Sequence, residues 1–291
     1  MKKATGFIVL IFFLLSPINC VMITDSQYII AHFNNHRDAY IYWRIAREKN
    51  LINDHMTLVH FDAHHDMDCM VGEYYEKWLS TFTLSPREVK GITNATFIDA
   101  AVNEGLISEI WWVMPDYMYW GQHFDRLETF VIQGEPTLFH KYVRFCDCQK
   151  EDGHIVCILM DVHEVAPPLP TLDKYTKTHA RVHFVTLDML PSFDEKVLLD
   201  VDTDYFINLL DIPLYPDYFH EDGNLRPWIS VERVMDVLTD IKIRSRMVTI
   251  AVSPHYTHEE YHCLSWVITE RIAEYLSEIY SLKRKENFSM I

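Results

Sequence analysis

Short apolar runs recur along the chain, and each has the length of a buried strand. Segments with helical spacing of apolar residues separate many of these runs. The alternation predicts an α/β fold with three layers, in which a mostly parallel sheet carries helices on both faces. The predicted strands are residues 27–33, 56–61, 109–114, 154–160, 181–187, 196–206 and 247–252, and the predicted helices are residues 35–50, 95–106, 228–241 and 257–280.

The predicted strand 56–61 runs directly into a cluster of acidic and histidine residues. Asp62, His64 and Asp66 alternate with other residues, so their side chains can converge on one centre. Carboxylates and imidazoles together suit Mn²⁺, Fe²⁺ or Zn²⁺. With Asp68 and His65 nearby, such a strand end is repulsive unless a cation is bound. The alternative is that Asp62 caps a turn and the histidines lie on the surface.

A second predicted strand ends in the same way. Asp200 and Asp202 follow an apolar run at a spacing of two residues, and Asp204 is a further candidate. Side chains two residues apart point to one side of a strand. Two carboxylate-rich strand ends in one α/β chain favour a metal site, with two ions as the leading hypothesis.

These motifs resemble those of a known superfamily. Asp62-Ala-His64-His65-Asp66 resembles the Asp-Ala-His-x-Asp signature of the ureohydrolases (arginase and agmatinase), and Asp200-Val-Asp202 resembles their Asp-x-Asp signature. The peptide arginase family is more similar still, because it also has an Asn-His pair before an aromatic-rich helix, here Asn35-His36 followed by residues 37–43. The resemblance extends from about Ile29 to about Thr257.

The resemblance implies an arginase/deacetylase-like fold with two manganese ions per chain, Zn²⁺ or Fe²⁺ being the alternatives. It implies hydrolysis of the guanidinium group of arginine in a peptide or protein, giving ornithine and urea. Two bound ions lower the pKa of a shared water for this attack. His36 competes with His32 for the first ligand position, or it is a helix-capping or core histidine. The implied metal ligands are His36, Asp62, His64, Asp66, Asp200 and Asp202.

Two further histidines are candidate catalytic residues. His163 follows the predicted strand 154–160, and a proton-relay or structural role is expected for it. In arginases a glutamate after the last strand holds the guanidinium, whereas His255 stands in that place here. A catalytically inactive, metal-binding relative is therefore an alternative. The aromatic segment 115–121 either lines a substrate mouth or packs beneath a loop.

The segment His258-Glu259-Glu260-Tyr261-His262 indicates a different enzyme class. It matches His-Glu-x-x-His, in which two histidines one helical turn apart bind zinc and the glutamate activates water. A zinc metallopeptidase is therefore a second alternative.

Charge restricts the partners of the protein. Lys and Arg total 26 against 42 Asp and Glu, a formal net charge of −16. Nucleic acids and anionic membrane surfaces bind cationic patches, so neither is an expected partner. A cationic substrate or a metal ion agrees better with this charge.

The N-terminus has the pattern of a secretory signal peptide at residues 1–20, with a basic start and an apolar stretch at Phe7–Leu15. That stretch is short for a bilayer about 30 Å thick, so no stable membrane insertion of the mature chain is expected. Residues 21–291 are then one ureohydrolase-like catalytic domain, secreted or in the secretory pathway. Lipoprotein anchoring at Cys20 is the weaker alternative, because Asn19 precedes it.

The cysteines give a further expectation. Removal of Cys20 leaves five, an odd number. Cys146 or Cys148 is placed to form a disulfide with Cys157 around a turn at Gly153. The alternative is a set of reduced, buried thiols.

Overall fold

A computed structural model describes residues 20–24, 28–68, 77–78, 80, 89–119, 137–140, 143–159, 180–208, 226–257 and 259–288. The strands within these ranges are β1 (Cys20–Thr24), β2 (Tyr28–Phe33), β3 (Met56–Phe61), β4 (Ile107–Val113), β5 (Thr137–His140), β6 (Val143–Glu151), β7 (His154–Leu159), β8 (Ala180–Val185), β9 (Val197–Asp202) and β10 (Ser245–Ala251). The helices are α1 (Asp38–Glu48), α2 (Phe97–Asn103), α3 (Asp116–Tyr119), α4 (Val231–Asp240) and α5 (Leu264–Phe288).

The strands of the described ranges form one sheet in the order β1-β2-β10-β9-β3-β4-β8-β7-β6-β5. The six consecutive strands from β2 to β8 in this order are all parallel. Strand β1 pairs antiparallel with β2, and β5, β6 and β7 continue antiparallel beyond β8. The mostly parallel sheet predicted from the sequence is confirmed.

Helices cover both faces of this sheet. Alternate residues of β2 enter two separate apolar cores, with Ala31 in one and Ile30 in the other. The first core includes Trp43 of α1 and residues of α2, and the second includes residues of α4 and α5 such as Ile272. The three-layer arrangement is therefore confirmed, and it follows from strands that are apolar on both sides.

The antiparallel edge was not predicted. Strands β6 and β7 form a hairpin whose two connecting residues, Asp152 and Gly153, both have positive φ angles of 46° and 88°. This is the turn that Asp-Gly favours between antiparallel strands. The disulfide Cys148–Cys157 joins the same two strands. The predicted disulfide is confirmed with Cys148 as the partner, and the alternative of fully reduced thiols is wrong.

The last helix begins later than predicted. Instead of a helix from residue 257, the structure has a 3-10 turn at Glu259–Tyr261 and starts α5 at Leu264. The side chain of Thr257 is buried, and its hydroxyl lies 3.1 Å from that of Thr203. This contact holds the segment after β10 against the end of β9, so the helix forms only further along the chain.

The N-terminal expectations are only partly within the described ranges. Cys20 begins β1, and the rest of the predicted signal peptide lies outside them. In the portion that the structure describes, no helix combines the length and apolar character needed to cross a membrane. Signal-peptide removal and the single catalytic domain stay predictions.

Candidate metal centre

The candidate metal centre lies where parallel strands β3, β9 and β10 end. His60 of β3 is in register with Asp200 of β9, which is in register with Thr249 of β10. These side chains face the α1 and α2 side of the sheet, because the neighbouring residues Leu58 and Leu198 belong to that core. Asp62 and Asp202 come two residues later on their strands, so they face the same side one step nearer the edge.

His36 lies in the loop between β2 and α1, and its side chain contacts the acidic residues at these strand ends. Its Nδ1 atom lies 3.2 Å from Oδ2 of Asp62, 3.1 Å from Oδ2 of Asp66 and 2.9 Å from Oδ2 of Asp202. Its Nε2 atom lies 2.8 Å from Oδ2 of Asp200. His36 therefore has three carboxylates around one nitrogen and a fourth at the other.

Asp66 reaches the cluster through an unusual backbone conformation. Its φ angle is +51°, in the left-handed region that aspartate tolerates better than most residues. The loop is held on its far side by hydrogen bonds from Ile98 N to the Asp66 carbonyl and from Asp68 N to the Ala95 carbonyl. These contacts turn the chain back so that the Asp66 carboxylate faces His36.

A second group shares Asp62 with the first. Oδ1 of Asp62 lies 3.5 Å from Nδ1 of His64, which is 2.9 Å from Oδ2 of Asp204. The His64 side chain is 36% exposed, whereas Asp62 and Asp204 are buried. Both trios, His36-Asp62-Asp66 and Asp62-His64-Asp204, have donor atoms close enough to hold one cation. Asp62 thus offers one oxygen to each group.

Unpaired buried atoms show that the residues fit divalent cations. Nδ1 of His36 and Oδ2 of Asp62 are buried, and within the described ranges neither has a hydrogen-bond partner. Such atoms are costly unless a cation or water satisfies them. Donors bound about 2.1 Å from a cation with octahedral geometry lie about 3 Å apart. The distances around His36 Nδ1 have this size.

Asp200 joins two histidine rings, and both its oxygens are hydrogen bonded, as are those of Asp202 and Asp204. Oδ1 accepts a hydrogen bond from the hydroxyl of Thr249. Oδ2 accepts from Nε2 of His36 and from Nδ1 of His60, each at 2.8 Å. This arrangement fixes both rings and turns Nδ1 of His36 and Nε2 of His60 toward the cluster, where a bound cation would replace a ring proton.

The pKa values describe a site that holds protons when it holds no cation. Burial and the carboxylates of Asp204, Asp66 and Asp202 raise the pKa of Asp62 well above its ordinary value. Burial alone lowers the pKa of His36, but Asp200 and Asp202 raise it well above normal. For His64, burial is likewise outweighed by Asp204, and the pKa is raised to about 12. A cation can replace these protons.

The predicted ligands separate into three positions. His36, Asp62, Asp66 and Asp202 meet at one point, His64 belongs to the second group, and Asp200 lies against the far nitrogen of His36. The competitor His32 faces the opposite side of the sheet, where its Nε2 is 2.8 Å from the hydroxyl of Ser265.

Of the two candidate catalytic histidines, the structure describes His255, which is not part of this cluster. His255 is exposed, and among the described residues its side chain has no hydrogen bond or ion pair. His163 lies outside the described ranges. Strand β7, which precedes it, is antiparallel to β8 and so ends at the edge opposite the cluster. Catalytic roles for both histidines stay predictions.

The peptidase motif does not adopt the geometry that zinc binding on one helix requires. Glu259 and the residues after it form a 3-10 turn, and Nε2 of His262 donates to the carbonyl of Thr257 at 3.0 Å. His258 lies outside the described ranges. The described part of the motif, residues 259–262, is therefore not α-helical as the zinc-binding pattern requires.

Sequence reasoning did not select two residues of the cluster. His60 is fully buried in β3 two residues before Asp62, and this spacing was a signal for the same face. Asp204 was named only as a further candidate, because the chain leaves the strand in a 3-10 turn at Thr203–Tyr205. That turn, capped by Asp202, brings Asp204 back beside His64.

A scan against protein-family models gave no match, and a sequence search of curated proteins gave none either. The comparison with solved structures matches the arginase from Medicago truncatula at a TM-score of 0.39 and 12% sequence identity. The match covers 85% of this chain and 58% of that arginase. This chain thus spans less than two-thirds of its length.

Proposed function

We propose that this protein is a metal-dependent hydrolase of arginine side chains in a peptide or protein. The reaction adds water to the guanidinium carbon and breaks its bond to the side-chain nitrogen, so arginine becomes ornithine and urea is released. The observation that carries the proposal is Asp62, whose two oxygens face two separate groups of donors. The resemblance of its motif to those of ureohydrolases and peptide arginases supports this reaction.

Two cations would be held, with Mn²⁺ as the first candidate and Zn²⁺ or Fe²⁺ as alternatives. His36, Asp66 and Asp202 would hold one, His64 and Asp204 the other, and Asp62 both. When bound, such a pair activates a water molecule as the nucleophile. The residues themselves supply negative charge, which neutralises the cations and attracts a cationic side chain.

The entrance to the second group has features that suit a guanidinium ion. His64 is partly exposed, and the ring of Tyr256 lies against it with centroids 4.8 Å apart. Aromatic faces stack on planar cations. The net charge of −16 favours approach of a basic peptide over an acidic or neutral one. Acetyl-lysine is neutral, so it gains nothing from this field.

The test is incubation of manganese-loaded protein with paired peptides that contain either arginine or acetyl-lysine. We expect urea release and conversion of arginine to ornithine, located by tandem mass spectrometry. Asp62→Asn should abolish the reaction. Asp188→Asn is the matched control, because it makes the same change at a 67% exposed side chain bound to Arg233. Reaction of acetyl-lysine alone, or of neither peptide, would refute the proposal.

A further inference from the structure

His60 is the buried residue of the cluster that the proposed ligand groups leave without a role. It is fully buried at the end of β3, with its ring 5.6 Å from that of His36 between centroids. Its Nδ1 atom donates to Oδ2 of Asp200. Its Nε2 atom is buried and, in the part of the chain described, has no hydrogen-bond partner.

Nε2 of His60 faces an oxygen that, among the described residues, also has no hydrogen bond. Nε2 of His60 lies 3.5 Å from Oδ2 of Asp62, the oxygen that also lies 3.2 Å from Nδ1 of His36. For donors bound about 2.1 Å from a cation, neighbours lie about 3.0 Å apart in an octahedron and about 3.4 Å in a tetrahedron. The separation of His60 from Asp62 suits a shared cation.

Asp200 is hydrogen bonded to both His36 and His60, each through one ring nitrogen. A histidine that binds a metal through one nitrogen commonly donates its other N–H to a carboxylate, which fixes the tautomer and the ring. Asp200 accepts such a bond from both His36 and His60, and Thr249 holds it from β10. With a metal bound, the two remaining nitrogens would therefore offer their lone pairs to the cluster.

We propose that His60 is a ligand of the first metal through Nε2, and that Asp200 orients His36 and His60 instead of binding the metal directly. The proposal rests on the proposed function only for the presence of a metal in the first group. It predicts two imidazoles at that metal, where the sequence motifs indicate one.

Zinc binding to protein labelled with ¹⁵N-histidine tests the proposal without an activity assay. The resonance of His60, assigned by its loss in a variant, should show that Nε2 becomes metal-bound while Nδ1 keeps its proton. An Nε2 shift that zinc does not change would overturn the proposal. This measurement uses the unaltered chain, so it does not depend on whether any variant folds.

His60→Asn separates a ligand from a positioning residue. Asparagine places an N–H donor near the position of Nδ1, so the bond to Asp200 can persist, but it has no atom near Nε2. Loss of the ligand should lower the affinity of one of two zinc ions by at least about 100-fold, the upper end for outer-shell changes. A loss of zinc affinity smaller than about 100-fold is what a positioning residue gives, and it would overturn the proposal.

His154→Asn is the matched control, since His154 is also a buried histidine of the sheet but bonds to His183 on β8. It should leave zinc affinity unchanged. Bound zinc at His60 without any urea release would refute the proposed function and uphold this inference. Urea release with an unchanged His60 resonance would support the proposed function and refute this inference.

Discussion

Nδ1 of His36 lies 3.2 Å from Oδ2 of Asp62, although the two residues come from different loops at the carboxyl ends of β2 and β3. Both atoms are buried, and within the described ranges neither has a hydrogen bond. Asp62 is thus the residue that the two candidate donor groups share, and several expectations concern it.

Asp62 and Asp204 should differ in how many metals they affect. Asp62 belongs to both groups of donors, whereas Asp204 belongs to the second alone. We expect about two equivalents of metal in the unaltered chain, fewer than one in Asp62→Asn and about one in Asp204→Asn. Elemental analysis of purified protein after dialysis measures this. Equal losses in the two variants would contradict the shared position of Asp62.

Metal affinity should rise with pH. The pKa of His36 in the metal-free fold is raised well above its ordinary value of 6.5. Its proton therefore stabilises this fold fully below pH 6.5. That stabilisation is lost as the pH rises through the raised pKa. A metal must displace that proton. Affinity should fall by about tenfold per pH unit, for each proton displaced, between about pH 8 and pH 6.

Calorimetric titration in buffers of different ionisation enthalpy counts the protons released. We expect at least one proton for each metal bound. The Asp188→Asn control should give the same count, because that residue is far more exposed and lies outside the cluster. A pH-independent affinity would show that the donors are already unprotonated.

Glu259→Gln should leave metal content and urea release within about twofold of the unaltered values. Glu259 is exposed on the 3-10 turn and belongs to neither donor group. In a zinc peptidase the same change removes the base that activates water and costs orders of magnitude in rate. Parallel assays of peptide cleavage and urea release distinguish the two enzyme classes. A collapse of activity would favour the peptidase.

Replacing Cys148 and Cys157 together by serine should lower the free energy of unfolding by about 2–3 kcal/mol, the value for a closed loop of this length. Chemical denaturation of the oxidised chain and the variant measures the difference. Metal content should not change, because the hairpin lies at the far antiparallel edge of the sheet. An unchanged free energy would mean that the bond does not form in the folded protein.

The mature chain should begin near Val21 and leave the cytosol. Val21 is in register with Ala31 in the pairing of β1 with β2, so removal of the preceding residues leaves that strand almost complete. Mass spectrometry of the N-terminus, on protein recovered from a secreting host, is the measurement. Cytosolic protein that keeps Met1 would contradict it.

The sequence by itself determined most of the parallel sheet and which strand ends carry candidate ligands. Apolar runs that end in Asp62 and Asp200 are local patterns, and a buried parallel strand needs apolar residues on both faces. Residue spacing also identified Asp66 and Asp202. These features depend on neighbouring residues in the chain, so they are visible without a fold.

Only the tertiary structure decided what each of these residues contacts. His36 and Asp200 are 164 residues apart in the chain, and their bond exists because β9 lies between β10 and β3. Register placed His60 beside Asp200, and it put His32 level with Ile250, on the opposite face from Thr249. Strand order and register are set by packing across the whole sheet, and for this reason local patterns did not select His60.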